Sequence, residues 1–292
     1  MTQVSHDGSA KEERQVTSHI DERISNHYGW SGLMDTIERE MRGKGIDPQQ
    51  VTVAQLAPVD NYHWHRLAGT LALARIAEIT AADRVLDVGG GIGGPARQLA
   101  RRFGCHVTVA DLTSEYCAVG EQLTAWTGLT DRVTFVHANA LDMPFPDASF
   151  DVVWTQHASM NIPDKASLYR EIARVARPGG RFAFFDVLAG PNQPIHFPVP
   201  WAADQSFSFL TSPQETRALI TEAGFREIDW MTGEALEAEL ERPDPLEDEE
   251  PAQSGLDPGL LNGPDGPRMG ANVGRTSEEG RILAVLGVFE RI

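Results

Sequence analysis

The feature that most constrains the fold is an alternation of strand-like and helix-like segments that starts at residue 84. Apolar runs with strand character cover 84–90, 106–112, 132–139, 147–156 and 181–190, and helical patterns occupy 93–103, 114–128 and 165–180. The strand-like runs are continuously apolar, which is typical of strands buried on both faces. The alternation therefore predicts an α/β fold, with a mostly parallel sheet covered by helices on both faces.

Both ends of the chain depart from this alternation. Residues 31–44 and 60–79 have helical spacing, with Asp60 expected as the N-cap of the second helix. No strand precedes these helices. The pattern therefore predicts a loose tail over 1–20, a helical cover over 21–80 and an α/β domain over 81–292.

Two further strands are expected at 226–232 and 281–291. The stretch between them changes composition, because 239–250 is strongly acidic and 251–274 is rich in glycine and proline. We predict that 239–274 is a partly disordered insertion, since such a composition buries little apolar surface.

A glycine-rich turn follows the first predicted strand and opens a helix. Gly89, Gly91 and Gly94 leave room for a ligand to approach the backbone, and the N–H groups of the helix N-terminus face that ligand. Asp111 ends the second strand, twenty residues after Gly91, where a carboxylate accepts hydrogen bonds from a ribose diol. The same glycines also match the dinucleotide fingerprint, so this spacing predicts a nucleoside cofactor of either kind.

Composition limits the partners and the location. The net charge of −17 and the pI of about 4.9 disfavour binding to nucleic acid or to anionic membranes. The chain has no apolar run of membrane-spanning length, so we expect a cytoplasmic protein. Cys105 and Cys117 lack the spacing of metal ligands, and we predict no metal site.

Several motifs together resemble class I S-adenosylmethionine-dependent methyltransferases. VLDVGGGIGGPA, VADLT, VTFVHANALDMPFPDASFDVVW and ARPGGR follow one another in the order of that superfamily and fall within 84–232. LAPVDNYHWHRLAGTLALARIA, WTQHASMNIPDK and EGRILAVLGVFER resemble the sarcosine/dimethylglycine N-methyltransferase-like group of small-molecule enzymes. An acidic residue at Asp87 and the turn at 177–180 are typical of methyltransferases and not of dinucleotide enzymes.

The resemblance implies a Rossmann-like sheet of seven strands, the last antiparallel, with an N-terminal helical lid. It implies S-adenosyl-L-methionine as cofactor and S-adenosyl-L-homocysteine as product. The cofactor-binding positions it indicates are Asp87, Gly89, Gly91, Gly94, Asp111, Leu112, Asn139, Ala140 and His157. The family usually has Asp where this chain has Asn139, and an amide oxygen still accepts a hydrogen bond from adenine.

The residues suggest two candidates for catalysis. His157 follows the fourth strand and either takes a proton from the nucleophile or packs beside the cofactor. Tyr62 belongs to an aromatic group at the start of the lid helix that either binds a cationic substrate or packs the helix. The predicted substrate pocket comprises Tyr28, Tyr62, His63, His65, His196 and Trp201, with Trp30 and Trp64 nearby.

We predict methyl transfer to a small molecule, with an amine nitrogen as the expected acceptor. C- or O-methylation of a secondary metabolite such as an isoprenoid is the alternative. An NAD-type oxidoreductase and a cofactor-binding regulator without turnover are further hypotheses. The chain lacks the catalytic Tyr-x-x-x-Lys set of many such oxidoreductases, which argues against the first of these. We expect a monomer or homodimer with no nucleic-acid or membrane partner.

Overall fold

The computed structural model describes residues 32–61, 63–243 and 254–292. The predictions for the tail at 1–20, for Tyr28 and Trp30, and for Tyr62 fall outside these residues. The structure therefore describes the predicted lid only from residue 32 onward.

A seven-stranded sheet forms the centre of the molecule. Its strands are β1 (Arg84–Val88), β2 (His106–Asp111), β3 (Val133–His137), β4 (Phe150–Gln156), β5 (Ala176–Ala189), β6 (Phe225–Met231) and β7 (Ile282–Arg291). The order is β3-β2-β1-β4-β5-β7-β6, with β1 to β5 parallel and β7 antiparallel to both neighbours. The predicted Rossmann-like α/β fold is thus confirmed.

Helices cover both faces of the sheet. In chain order they are α1 (Leu33–Gly43), α2 (Val53–Asp60), α3 (Arg66–Ile76), α4 (Gly94–Phe103), α5 (Ser114–Trp126), α6 (Lys165–Val175), α7 (Pro213–Glu222), α8 (Glu234–Leu240) and α9 (Gly266–Glu278). Leu73 of α3 and Leu99 of α4 pack in the core on one face, and Leu168 of α6 and Ile220 of α7 pack on the other. Two apolar layers therefore enclose the sheet, as the continuously apolar strands require.

The helix predicted over 60–79 begins later than expected, at Arg66, and ends at Ile76. Asp60 is the last residue of α2 and not an N-cap. The helical path is interrupted between α2 and α3, where His65 and Arg66 have positive φ angles of 61° and 47°. The Asp60 carboxylate is used for packing instead, since its Oδ2 accepts from Arg97 Nη2 at 2.9 Å with both side chains fully buried.

The predicted insertion contains regular structure that its composition did not suggest. Residues 266–278 form α9, and a 3-10 turn, Leu260–Asp265, precedes it. Leu256 is buried against Leu33, Ile37 and Met41 of α1. The described part of this insertion thus packs on the body of the protein. Across the residues that the structure covers, no helix has the length and apolar character to cross a membrane.

Candidate functional site

A cavity of about 570 Å³ opens at the carboxyl ends of the parallel strands. It lies where β1 and β4 are neighbours and the chain direction of the crossovers reverses, which is the usual ligand position in open α/β sheets. One side, which we call the loop half, is lined by residues from 87–92, 110–113 and 138–141. The other side, which we call the histidine half, is lined by residues from 63–65, 156–160, 200–201 and 258–273.

The glycine turn after β1 is the floor of the loop half. Gly89 and Gly91 have φ angles of +70° and +57°, which residues with a side chain rarely adopt. A Cβ on Gly91 would meet only Tyr116, at 3.7 Å, so the space beside this turn is open. The predicted close backbone approach for a ligand fits the geometry at Gly91. A Cβ on Gly89 would lie 2.5 Å from the Cβ of Ala158, so glycine is needed there for the turn to pack against the segment after β4.

Gly94 has a different place from the one predicted. It does not line the cavity. A Cβ there would lie 1.9 Å from the backbone oxygen of Asp60, so glycine is required for α4 to pack against the end of α2. Gly90, which was not singled out from sequence, lines the cavity instead.

The Asp111 carboxylate is held by backbone N–H groups of the glycine turn and of the turn after β2. Its Oδ2 accepts from the Gly91 N–H at 2.8 Å and its Oδ1 accepts from the Thr113 N–H at 2.8 Å. Burial raises the pKa of Asp111, and these backbone hydrogen bonds oppose that rise. The Thr113 side chain also hydrogen-bonds to this carboxylate, and the accepting capacity that remains is available to ligand hydroxyls.

Asp87 lies beneath the glycine turn and is only 1% exposed. Burial, and then the negative charge of Asp111, raise the pKa of Asp87 to about 8. Its Oδ2 has no hydrogen-bond partner among the described residues. Since an unpaired buried polar atom is costly, this oxygen suits a donor or cation on a bound ligand.

The remaining predicted contacts of the loop half also line the cavity. Leu112, Asn139 and Ala140 follow the ends of β2 and β3. The Asn139 Oδ1 accepts from the Leu141 N–H at 2.9 Å, which fixes the side chain against its own turn. The amide at this position therefore shapes the rim of the cavity.

Three histidines face the histidine half. His157 has a positive φ of 52°, and its ring packs edge-on against Phe185, with centroids 5.0 Å apart, and 5.8 Å from the ring of His63. Burial, and then the charges of His63 and His65, hold the pKa of His157 well below its usual range, and burial lowers the pKa of His63 to about 4. These imidazoles are therefore neutral at pH 7, and neither ring nitrogen of His157 has a partner within the described structure.

Sequence reasoning missed Gln156, which ends β4 and is 8% exposed. Its Oε1 accepts from Trp154 Nε1 at 3.1 Å and from Thr70 Oγ1 at 3.1 Å. The Thr70 hydroxyl in turn lies 3.2 Å from His63 Nε2. Nothing in the sequence indicates this network, because it joins β4 to Thr70 of α3 and, through Thr70, to His63 in the segment between α2 and α3.

The predicted substrate residues divide into two groups. His63, His65 and Trp201 line the cavity. The structure does not bring His196 there, because its Nε2 lies 2.8 Å from Glu279 Oε2 on the outside of this region. Five lining residues come from the predicted insertion instead, namely Pro258, Leu261, Asn262, Gly270 and Val273. Only the packing of α9 against 195–202 reveals their position.

The loop half fits S-adenosylmethionine. It offers an open glycine turn, a carboxylate at the tip of β2 for a ribose diol, and an unpartnered Asp87 oxygen for the cationic end of the molecule. Asn61, also buried in the lining, contributes a second acceptor atom, Oδ1, that has no partner among the described residues.

Residues 86–184 match the family model described as a methyltransferase domain. This part of the chain is therefore similar to methyltransferase domains, in agreement with the resemblance that its motifs carry. The match spans the glycine turn, Asp111, Asn139 and His157. The region shared with the family thus includes the residues of the loop half and residues 156–160 of the histidine half.

Curated relatives differ in the atom that their names say they methylate. Over 161 residues, the chain is 35% identical to 27-O-demethylrifamycin SV methyltransferase of Amycolatopsis mediterranei, covering 51% of this chain and 59% of that protein. It is 42% identical to sterol 24-C-methyltransferase of Eremothecium gossypii, covering 41% and 32% of the two chains. It is 33% identical to sarcosine/dimethylglycine N-methyltransferase of Halorhodospira halochloris, covering 49% and 52%. The chain thus spans less than two thirds of each of these relatives.

Solved structures share the fold at lower identity. Geranyl diphosphate methyltransferase in complex with SAM superposes with a TM-score of 0.59 at 20% identity, covering 77% of this chain and 84% of that one. The cyclase SpnF superposes with a TM-score of 0.56 at 21% identity, covering 76% and 79%. Because a cyclase shares the fold, the fold alone does not determine the reaction.

Proposed function

We propose that this protein transfers a methyl group from S-adenosyl-L-methionine to a small, mostly apolar molecule. The observation that carries the proposal is the single cavity that joins the glycine turn and Asp111 to the apolar, histidine-lined half. Asp111 would bind the ribose hydroxyls, Leu112, Asn139 and Ala140 would border the adenine, and Asp87 and Asn61 would face the amino-acid end. When bound, the cofactor supplies an electrophilic methyl group on a sulfonium.

The charge of the cavity disfavours an anionic substrate. Among the lining residues that the structure describes, the acidic side chains are Asp60, Asp87 and Asp111, and Asp60 is paired with Arg97. The only lysine or arginine there is Arg66, which donates to the backbone oxygen of Pro58. A substrate with a carboxylate or diphosphate would find few cations to pair with.

A neutral amine nitrogen is the acceptor that the histidines favour. The low pKa of His157 makes it a weak base, so a nucleophile that needs no deprotonation suits the site best. Neutral His157 can still accept a hydrogen bond from an N–H group and aim the lone pair at the methyl group, while the surrounding apolar wall excludes water.

A hydroxyl oxygen is the second candidate acceptor. The buried, unpartnered ring nitrogens of His157 favour it, since one of them can accept from an O–H group. The relative named as a 27-O-demethylrifamycin SV methyltransferase supports this alternative.

A turnover screen tests the proposal. The protein is incubated with S-adenosylmethionine and a panel of apolar amines, phenols and isoprenoid alcohols, and S-adenosylhomocysteine is measured by mass spectrometry. We expect turnover that falls at least about tenfold in His157→Ala, and as much as about 100-fold or more if His157 removes a proton. His106→Ala, an exposed histidine at the start of β2, is the control. Failure of the wild-type protein to bind S-adenosylhomocysteine in calorimetry would overturn the proposal.

A further inference from the structure

The side-chain amide of Gln156 has a fixed orientation. Indole nitrogen only donates, so the atom 3.1 Å from Trp154 Nε1 must be the amide oxygen. The Thr70 hydroxyl donates to the same oxygen at 3.1 Å. With its oxygen held by two donors, Gln156 cannot flip, and its NH₂ group points away from this network.

That NH₂ group is buried and makes no hydrogen bond to any described residue. Gln98 of α4 has a buried, unpartnered NH₂ group as well, so this property alone does not define a site. The two differ in place, because Gln156 lines the cavity and Gln98 does not.

The neighbouring residue strengthens the assignment. Consecutive residues of a strand point to opposite faces, but the positive φ of His157 breaks this alternation, and both side chains line the cavity. Neither ring nitrogen of His157 has a described partner. Two adjacent side chains therefore present unsatisfied polar atoms to one space that is otherwise walled by apolar groups such as Met160, Val187 and Trp201.

We propose that Gln156 is a binding site for an oxygen atom of a bound ligand, to which its NH₂ group donates. The chemistry required is a carbonyl or carboxylate oxygen, since these accept without having to donate. This oxygen belongs either to the substrate, close to the methyl-accepting atom that His157 orients, or to the amino-acid end of the cofactor. The inference rests on the proposed function, because it uses the same cavity and the same cofactor.

Two pairs of probes separate the two sources. S-adenosylhomocysteine and 5′-methylthioadenosine share the nucleoside, but only the first has the carboxylate. Acetophenone and α-methylstyrene share a shape, but only the first has a carbonyl oxygen. Calorimetry gives the affinities of the first pair, and ligand-observed NMR on the protein saturated with S-adenosylhomocysteine gives those of the second.

Gln156→Met removes the NH₂ group at similar length, and Gln98→Met is the same change outside the cavity. We expect Gln156→Met to lose about tenfold in the preference for one oxygen-bearing probe over its partner, which corresponds to one ligand hydrogen bond. A loss confined to the nucleoside pair assigns the oxygen to the cofactor, and a loss confined to the ketone pair assigns it to the substrate. Gln98→Met should change neither preference.

Gln156→Glu guards against a purely structural effect. It keeps an oxygen facing Trp154 and Thr70 and replaces only the donating NH₂ group, so it should lose the same preference at pH 8. Unchanged preferences for both pairs in Gln156→Met and Gln156→Glu, or equal losses in Gln98→Met, would overturn the inference. If wild-type protein fails to bind S-adenosylhomocysteine, the proposed function itself fails.

Discussion

The two halves of the cavity are built in different ways. The loop half comes from three consecutive strand ends and the turns that follow them, between residues 87 and 141. The histidine half gathers residues from the lid, from the turn after β4, from the segment after β5 and from the region before β7. The contrast shows that short-range sequence order determines the loop half, whereas long-range packing assembles the histidine half.

The largest effect on stability is expected at the contact between α2 and α4, which links the two halves of the cavity. Asp60 at the end of α2 and Arg97 of α4 form an ion pair in which both side chains are fully buried. Arg97→Met leaves Asp60 without its partner and should lower the free energy of unfolding by about 3–5 kcal/mol. Denaturant titration measures this, with exposed Arg101→Met on the same helix as the control. A loss below about 1 kcal/mol would show that the two halves are not coupled through this pair.

The next largest effect should be confined to the loop half. A carboxylate that binds two ribose hydroxyls makes charge-assisted hydrogen bonds worth about 1.5–3 kcal/mol each before competition from water. Asp111→Ala should therefore weaken S-adenosylhomocysteine binding at least about tenfold in calorimetry. A folded variant with wild-type affinity would remove Asp111 from the site.

A change confined to the histidine half should spare cofactor binding. Gly270 of α9 lines the cavity, and a Cβ there would meet nothing within 4 Å. Gly270→Trp would fill the cavity without replacing a helix-favouring residue, and should weaken binding of acetophenone several-fold, since shape complementarity at the apolar wall is lost. Gly274→Trp, one turn further and outside the lining, is the matched control. Equal effects from both variants would contradict a role of α9 in the cavity wall.

A dependence on pH is expected from the buried carboxyl group beneath the glycine turn. The pKa of Asp87 is raised to about 8 in the folded protein, against about 4 in an unfolded chain. Folding therefore takes up a proton between these values, so the stabilising share of this group is complete below about pH 4 and is lost as the pH rises toward 8. Asp87→Asn should gain stability relative to wild type from pH 5 to pH 8, measured by denaturant unfolding. Exposed Asp131→Asn is the control, and a pH-independent difference would refute the shift.

Much of this molecule could be predicted from local sequence. The alternation from residue 84, the glycine turn and Asp111 each express a period or spacing within one strand–helix unit, and all three occupy the expected places. The main error within that region concerns Gly94, where a glycine needed for helix packing has the same spacing as one needed for a ligand.

The histidine half could be predicted only in part. His63, His65, His157 and Trp201 line the cavity, but His196 turns to Glu279 instead, because a charged neighbour 83 residues away offers it a partner. Gly270 and the other residues of the predicted insertion belong to the wall although their composition suggested disorder.

The sequence by itself determined the class of sheet, the glycine turn and the carboxylate that follows it, because hydrophobic period and turn chemistry act over a few residues. Only the tertiary structure decided that Asp60 pairs with Arg97, that α9 walls the cavity, and that Gln156 is held by Trp154 and Thr70 with its NH₂ group unsatisfied. These contacts join segments distant in the chain, and their energies depend on burial, which exists only once the chain has packed.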